Sequence, residues 1–324
     1  MVKAVRIHDT GGPDKLVLED VDVGPPGPGE ARLSQAAIGL NFIDTYFRSG
    51  LYPVPSLPVT LGVEAAGTVT AIGDGVSDIA PGDRVSYAGG LGAYSTERTI
   101  AADRLIKLPD GITDEQAAGV TLRGLTAHYL LRRTYRVLPG DTILVHAAAG
   151  GVGLLACQWA KHLGATVIGT VGSAAKAELA KANGCDHPIN YQTEDFVARV
   201  RDLTGGEGVP VVYDSVGKDT FAKSLDCLRP LGLLVSFGQS SGPVAPFNIL
   251  ELSTKGSLHV TRPTLASYVA KREDLLAAAE ELFAVVASGA VKVEVGRSYP
   301  LADVATAHED LEARRTTGST ILIP

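Results

Sequence analysis

The chain has 324 residues, of which 45% are hydrophobic and 20% are charged, a composition typical of a folded protein of about two domains. Its 36 acidic and 29 basic side chains give a formal net charge of −7, which argues against general electrostatic attraction to nucleic acid or an anionic membrane. The three scattered cysteines, Cys157, Cys185 and Cys227, are too few for a disulfide framework or a cysteine zinc site.

The first 120 residues or so are predicted to be β-rich. The opening MVKAVRIHD lacks the apolar core of a signal peptide, so we expect a soluble, cytoplasmic protein. Short runs with branched apolar residues, separated by glycine and proline loops, predict strands over Lys3 to His8, Lys15 to Asp20, Arg32 to Ile38, Gly67 to Ile72, Tyr94 to Ile100 and Leu105 to Leu108. Many short strands of this kind favour a barrel or a sandwich.

The stretch from Thr142 to Ser173 has the pattern of a strand, a glycine turn, a helix and a second strand. Its turn, Ala147 to Gly153, carries a seven-residue variant of the dinucleotide-binding fingerprint, with Ala147 in place of the first glycine. Residues without a side chain let the backbone approach a pyrophosphate, and the amides at the helix start can bind it. A tight turn in some other doubly wound protein is the alternative.

The rhythm of strands and helices continues to about residue 262, with six predicted strands in all, as a dinucleotide-binding fold requires. The last of these is Ser257 to Thr261. The tail departs from the rhythm: it predicts a helix ending at Gly289, a strand over Val291 to Val295, a helix over about Asp303 to Arg314 and a strand over Thr320 to Ile323. We therefore expect the tail to complete the N-terminal domain.

The residues after the second strand of this stretch indicate the cofactor. An NAD-binding fold places an acid there to bond the ribose hydroxyls, but Thr170 to Ser173 contains none. Lys176 follows one turn into the next helix, and a cation beside a small hydroxyl suits a 2′-phosphate. The sequence therefore predicts NADPH, although an exposed lysine with no ligand is the ordinary case.

One motif favours a different class of enzyme. Gly238 to Gly242 matches the G-x-S-x-G pattern of serine hydrolases, whose nucleophile elbow needs a helix directly after the serine. Pro243 and Pro246 follow here, so that helix is not expected.

Several stretches resemble one family in the same order along the chain: AAIGLNFIDTYFRSGLYP, LGVEAAGTV, PGDRV, PGDTILVHAAAGGVGLLACQWAKHLGA and VVYDSVG. They are similar to the zinc-independent quinone oxidoreductase (zeta-crystallin-like) branch of the medium-chain dehydrogenase/reductase superfamily. The resemblance implies an α/β protein with a GroES-like β-rich catalytic domain, residues 1–123 and 263–324, and a doubly wound Rossmann NADPH-binding domain, residues 124–262, with a cleft between them. It also implies a homodimer that pairs through the Ser257 to Thr261 strand, although a monomer with a protected edge is an alternative.

Zinc enzymes of that superfamily have a cysteine at or near the position of Asn41, and a histidine where this chain has Val63. Neither residue present here can replace those ligands, and no cysteine lies between residues 80 and 120. We therefore expect no metal. Glu64, which follows Val63, is expected to cap or pair structurally more than to catalyse.

The resemblance also supplies candidate site residues. Asn41, Tyr46 and Tyr52 are the catalytic candidates, because they can donate hydrogen bonds to a quinone oxygen that gains negative charge. The cofactor-binding candidates, some read from the fingerprint and some from the resemblance, are Asn41, Thr126, Ala149, Gly150, Gly151, Val152, Gly153, Gly172, Ser173, Lys176, Tyr191, Ser215, Phe237, Gly238, Ser240, Arg262 and Arg314. Each tyrosine could instead be a packed aromatic, and each arginine a surface ion pair.

The expected activity is the transfer of reducing equivalents from NADPH to a quinone without a metal. An NADPH-dependent enone or 2-enoyl reductase of the same superfamily is the alternative enzyme. A non-catalytic NADPH-binding protein is the alternative outside catalysis, because a fold does not prove turnover.

Overall fold

A computed structural model describes residues 1–324, and contacts within the chain divide it into two compact units. The first unit comprises Met1–Arg123, Lys271–Phe283 and Val293–Pro324, and the second comprises Gly124–Ala270 and Ala284–Lys292. Residues 263–270 and 284–292, which the sequence prediction assigned to the catalytic domain, thus group with the second unit. The division falls inside two helices, Asp114–Tyr129 and Arg272–Ala287, and the periodicity of their sequences gives no sign of such a change.

The first unit contains two sheets. A three-stranded sheet has the order β2-β1-β4, and a larger sheet has the order β15-β16-β3-β5-β6-β8, with β7 also paired to β3. The strands, numbered in chain order, are β1 Val2–Ile7, β2 Val17–Val21, β3 Glu30–Leu40, β4 Val59–Thr60, β5 Glu64–Ile72, β6 Arg84–Ala88, β7 Glu97–Ala101, β8 Ile106–Lys107, β15 Val295–Pro300 and β16 Ser319–Ile323. All pairs are antiparallel except β15 with β16.

The second unit is built on six parallel strands in the order β11-β10-β9-β12-β13-β14. The strands are β9 Thr142–Val145, β10 Thr166–Val171, β11 His187–Asn190, β12 Val209–Asp214, β13 Leu228–Ser236 and β14 His259–Thr261. This is the order of a Rossmann sheet, in which the chain reverses direction across the sheet between β9 and β12. Ligands of such sheets bind outside the carboxyl ends of the strands at that reversal.

Ten helices accompany the strands: α1 Phe42–Ser49, α2 Asp114–Tyr129, α3 Gly151–His162, α4 Ala174–Ala182, α5 Phe196–Leu203, α6 Phe221–Asp226, α7 Leu250–Thr254, α8 Leu265–Tyr268, α9 Arg272–Ala287 and α10 Val304–Glu312. A π-helical segment, Leu130–Thr134, continues α2. Buried aliphatic residues such as Leu144, Ile168 and Val212 form one core around the parallel strands, and a separate core fills the first unit.

The sequence prediction missed α1 and α2, and it placed the strand near residue 293 too early. The strand β15 begins at Val295 rather than Val291. It lies at the edge of its sheet and is largely exposed, so it lacks the alternation of apolar and polar residues that marks a half-buried strand. None of the helices is long and apolar enough to cross a membrane.

Candidate functional site

The turn between β9 and α3 is shaped by contacts that only small residues permit. Ala147 has a φ of 52°, and its carbonyl accepts the Gly150 amide at 2.8 Å. A Cβ on Gly153 would lie 2.2 Å from the same carbonyl oxygen, so no other residue fits there. The first amides of α3, those of Gly151, Val152 and Gly153, have no acceptor within the helix and can bind a phosphate oxygen.

Four predicted cofactor residues meet at the carboxyl end of β10. Ser173 caps α4, where its Oγ accepts the Lys176 amide at 3.3 Å. The Tyr191 amide donates to the Val171 carbonyl at 3.1 Å. A Cβ on Gly172 would lie 2.7 Å from the Tyr191 hydroxyl, so that hydroxyl sits directly over the glycine. The Ser173 hydroxyl, the helix turn that carries Lys176 and the Tyr191 phenol are therefore grouped at this end of β10.

A second group of predicted residues lies at the ends of β12 and β13. Ser215 accepts the Ser240 amide on its carbonyl at 3.1 Å, and a Cβ on Gly238 would meet that same carbonyl at 2.6 Å. Phe237, also half-buried, begins the loop that Gly238 continues. Arg262 donates from Nη1 to the Ser236 carbonyl at 2.8 Å and to the Gly238 carbonyl at 3.2 Å. Arg262 thus supports this loop.

The remaining cofactor candidates are more dispersed. Ala149 is buried in the glycine turn, and Thr126 is half-buried on α2, both in the second unit. Arg314 belongs to the first unit, where it follows α10 in a left-handed turn with a φ of 59°.

The three catalytic candidates lie at or beside α1. Asn41 precedes the helix, is 5% exposed, and donates its backbone N–H to Asp44 Oδ2 at 2.8 Å. Its side-chain Nδ2 donates to Glu64 Oε2 at 2.7 Å. The rings of Tyr46 and Tyr52 meet edge to face with their centres 5.2 Å apart, and the Tyr52 amide donates to the Tyr46 carbonyl at 3.0 Å.

Glu64 is fully buried, and its carboxylate is held by hydrogen bonds from neighbouring groups. Besides Asn41, it accepts the Leu122 amide on Oε1 at 2.5 Å. A Cβ on Gly39 would lie 2.3 Å from Glu64 Oε2, so the carboxylate occupies space that only glycine leaves open. Burial raises the pKa of Glu64 to about 7, against the opposing effects of the Arg123 charge and of both hydrogen bonds.

The structure adds a buried polar chain that sequence reasoning missed. Arg48 Nη1 lies 3.0 Å from His308 Nδ1, and because arginine only donates, His308 must carry its hydrogen on Nε2. That nitrogen is 3.0 Å from the Tyr94 hydroxyl, which in turn donates to Asp44 Oδ2 at 2.9 Å. Burial raises the pKa of Asp44 to about 7, and burial together with Arg48 lowers that of His308 to about 3. No spacing in the sequence signals a chain whose directly bonded members lie up to 260 residues apart.

Two further observations bear on the chemistry. No three His, Cys, Asp or Glu side chains are grouped so that they could hold a metal ion. The segment after Ser240 is irregular, and the next helix starts only at Leu250, so the hydrolase pattern does not form a nucleophile elbow.

The family models and the individual proteins that match this chain agree with one another. Residues 27–110 match the alcohol dehydrogenase GroES-like domain, and residues 151–284 match the zinc-binding dehydrogenase family. The chain is 55% identical to a quinone oxidoreductase of Pseudomonas aeruginosa over 100% of both proteins. It is 48% identical to a 2-haloacrylate reductase of a Burkholderia species, over 100% of this chain and 99% of the other.

A solved structure agrees with these relatives. The quinone oxidoreductase of Escherichia coli in complex with NADPH superposes with a TM-score of 0.98 and 54% identity, over 99% of this chain and 100% of the other. Identity at this level over the whole length confirms the resemblance and the predicted fold class. The chain belongs to the quinone oxidoreductase branch of the medium-chain dehydrogenase/reductase superfamily.

Proposed function

We propose that this protein is an NADPH-dependent quinone reductase that works without a metal. The observation that carries the proposal is the pair of anion-binding features on the second unit: the Gly153 turn before α3, and Ser173 with Lys176 beyond β10. The first suits a pyrophosphate, and the second suits a 2′-phosphate. The Escherichia coli relative, described as complexed with NADPH, supports the same cofactor.

Asn41, Tyr46 and Tyr52 are proposed to bind the quinone, and NADPH when bound supplies the hydride. Asn41 is suited to this role because Glu64 holds its carboxamide in one position, and a donor held in advance costs no reorganisation during reaction. Its amide and the tyrosine hydroxyls would stabilise the quinone oxygen as that oxygen becomes negative. A tyrosine or water then provides the proton.

A second candidate function is the reduction of an activated carbon–carbon double bond. The observation that favours it is the 48% identity to the 2-haloacrylate reductase along the whole chain. Hydride addition to an enone also places negative charge on a carbonyl oxygen, so the same donors would serve both reactions.

A spectrophotometric screen tests these proposals. Oxidation of NADPH and NADH is followed with 1,4-benzoquinone, a naphthoquinone, an enone and 2-chloroacrylate, and NADP⁺ is tested with a primary alcohol. We expect quinone turnover that prefers NADPH. Activity with the enone or the haloacrylate but not the quinones would favour the second candidate, and NADPH binding without any turnover would favour a non-catalytic protein.

The proposed role of Asn41 has its own test. Asn41→Ala removes a donor from the developing oxyanion and is expected to lower kcat/KM for the quinone by about 100-fold, as at other oxyanion sites. Tyr46→Phe and Tyr52→Phe keep the edge-to-face ring packing and remove only a hydroxyl, so a smaller loss is expected. An Asn41→Ala enzyme as active as the unmodified one would exclude the role.

We also propose a homodimer in the cytoplasm, with β14 of each copy at the interface. The strand β14 lies at the edge of the parallel sheet. Exposed apolar side chains are found on β13 and at the start of α7: Leu231, Ile249 and Leu250, at 70%, 76% and 60% exposure. Covering such residues and an open strand edge is favourable. Sedimentation equilibrium should give twice the chain mass of 33.6 kDa, and a single-chain mass would contradict the dimer.

A further inference from the structure

A buried polar chain runs beneath the carboxyl ends of the parallel strands. His146, directly after β9, contacts Thr170 Oγ1 with Nδ1 at 2.8 Å and Ser224 Oγ with Nε2 at 2.9 Å. Ser224 donates its hydroxyl to the Thr220 carbonyl at 2.8 Å, so it accepts from His146. Thr220 then donates its own hydroxyl to Asp214 at 2.8 and 2.9 Å. The chain therefore ends at Asp214, the last residue of β12.

Asp214 is fully buried and holds the start of the following loop. Its Oδ1 accepts the Val216 amide at 2.7 Å and the Gly217 amide at 3.1 Å, and both carboxylate oxygens lie within hydrogen-bond distance of the Thr220 hydroxyl. Its backbone carbonyl accepts the Phe237 amide at 2.8 Å and the Gly238 amide at 3.3 Å from the loop after β13. One residue thus bonds two loops that come from neighbouring strands.

The two loops are also joined directly. The Ser241 amide and hydroxyl both reach the Val216 carbonyl, at 2.9 and 2.8 Å, and the Ser240 amide reaches the Ser215 carbonyl at 3.1 Å. Gly217 approaches the Gly242 carbonyl so closely that a Cβ would lie 2.9 Å away. Because the loops are in such close contact, a shift of residues 215–217 would move residues 237–241 as well.

The position of these loops indicates which part of the cofactor they would serve. A doubly wound sheet consists of two halves, and each half binds one mononucleotide. Ser173 and Lys176 beyond β10 belong to the half proposed to bind the 2′-phosphorylated adenosine. The ends of β12 and β13 belong to the other half, which faces the nicotinamide nucleotide.

We propose that Asp214 is a positioning residue for the nicotinamide half of the site. Its carboxylate accepts the Val216 and Gly217 amides and thereby fixes the conformation of the loop that carries Ser215. That loop in turn fixes the position of the loop after β13, which carries Phe237, Gly238 and Ser240. This inference rests on the proposed NADPH site. It assigns no direct cofactor contact to Asp214, whose side chain is buried beneath the loop.

The test compares two ligands on one variant. Asp214→Ala leaves the Val216 and Gly217 amides without an acceptor and leaves the Thr220 hydroxyl only the Gly217 carbonyl at 3.3 Å, so the loops relax. By calorimetry, the Kd for NADPH should rise by about 10- to 100-fold, whereas the Kd for adenosine 2′,5′-bisphosphate, which lacks the nicotinamide half, should change less than about twofold. An equal loss for both ligands, or no loss for either, would overturn the proposal.

Two further variants separate geometry from charge and from folding. In Asp214→Asn, the amide oxygen can still accept the Val216 and Gly217 N–H groups while its NH2 donates to Thr220 Oγ1, so NADPH affinity should return nearly to normal. An asparagine variant as weak as the alanine variant would contradict the inference. If Asp214→Ala does not fold, Thr220→Val is measured instead, with a smaller rise in the NADPH Kd expected and no change for the bisphosphate.

The matched control is Asp195→Ala. Asp195 also accepts a backbone amide with its carboxylate, that of Val197 at 3.0 Å, but it is exposed at the start of α5. Asp195→Ala should leave the affinities for NADPH and for the bisphosphate unchanged. A change as large as that caused by Asp214→Ala would overturn the proposal. If the unmodified protein bound neither NADPH nor the bisphosphate, the proposed function would fail, and this inference with it.

Discussion

Two buried aspartates, Asp214 in the second unit and Asp44 in the first, differ in how completely their carboxylate oxygens are hydrogen-bonded. Asp214 has hydrogen-bond donors for both oxygens, two amides and a hydroxyl, and these donors belong to the segment that directly follows it. Asp44 has donors only for Oδ2, and its Oδ1 is buried without a partner. Its neighbour Glu64 accepts two donors, yet burial raises the pKa of both Asp44 and Glu64 to about 7.

The difference shows what each region is suited to do. In the second unit, backbone amides and neutral hydroxyls shape a cradle whose geometry is set by close contacts between glycines and carbonyl oxygens. In the first unit, Arg123 is buried with two carboxylates, so a proton is retained in the group near neutral pH. The glycine-lined loops of the second unit are therefore a shape-sensitive region, in which added side-chain volume is disruptive. The buried carboxyl groups around Asn41 are a pH-sensitive region, because their protonation changes near neutral pH.

The strongest test of the shape-sensitive region is Gly153→Val. Its Cβ would lie 2.2 Å from the Ala147 carbonyl oxygen, so the turn must move before α3 can pack. We expect NADPH affinity to fall at least about 100-fold, because a strain of roughly 3 kcal/mol corresponds to that factor. Gly24→Val, at a glycine with no atom within 4 Å of the added Cβ, is the control measured by the same titration. Normal NADPH binding by Gly153→Val would disprove this account of the turn.

The pH-sensitive region is tested by Glu64→Gln. The folded pKa of Glu64, about 7, lies above its usual value of 4.5, so the folded state binds the proton more tightly. The stability from this group is complete below pH 4.5 and is lost as pH rises through about 7, an effect of up to about 3 kcal/mol. Urea unfolding from pH 4.5 to 8 should show a shallower fall in the free energy of unfolding for the variant.

Glu97→Gln is the control for that pH series. It removes a carboxylate that pairs with Arg32 on the partly exposed face of the same sheet. The pH dependence of unfolding should match that of the unmodified chain. Equal slopes for Glu64→Gln and the unmodified chain would show that Glu64 does not retain the proton.

The smallest expected effect concerns the choice between NADPH and NADH. Lys176→Ala removes a cation beside Ser173, so the Kd for NADPH should rise by about 10-fold while that for NADH stays constant. Lys181→Ala, an exposed lysine at the other end of α4, should change neither affinity. Calorimetric titration with each nucleotide measures both Kd values. Equal losses of affinity for NADPH and NADH would refute a contact between Lys176 and the 2′-phosphate.

The sequence by itself determined the features that depend on neighbours within one turn or one strand. The helical period after Val152, the small residues at Ala147 and Gly153 and the absence of an acid before Ser173 lie within one βαβ stretch. Local dihedral and packing requirements act directly on such residues, so the pattern is visible before folding. The family resemblance extended this to Asn41, Tyr46 and Tyr52.

Only the tertiary structure decided which distant polar groups share a buried space. Tyr94 joins Asp44 across 50 residues and His308 across 214, and Asp214 bonds to the loop at Phe237. These partners have no periodic relation along the chain, because sheet pairing and packing bring them together. Burial, which raises the pKa of Asp44 and Glu64, likewise depends on the whole core rather than on adjacent residues.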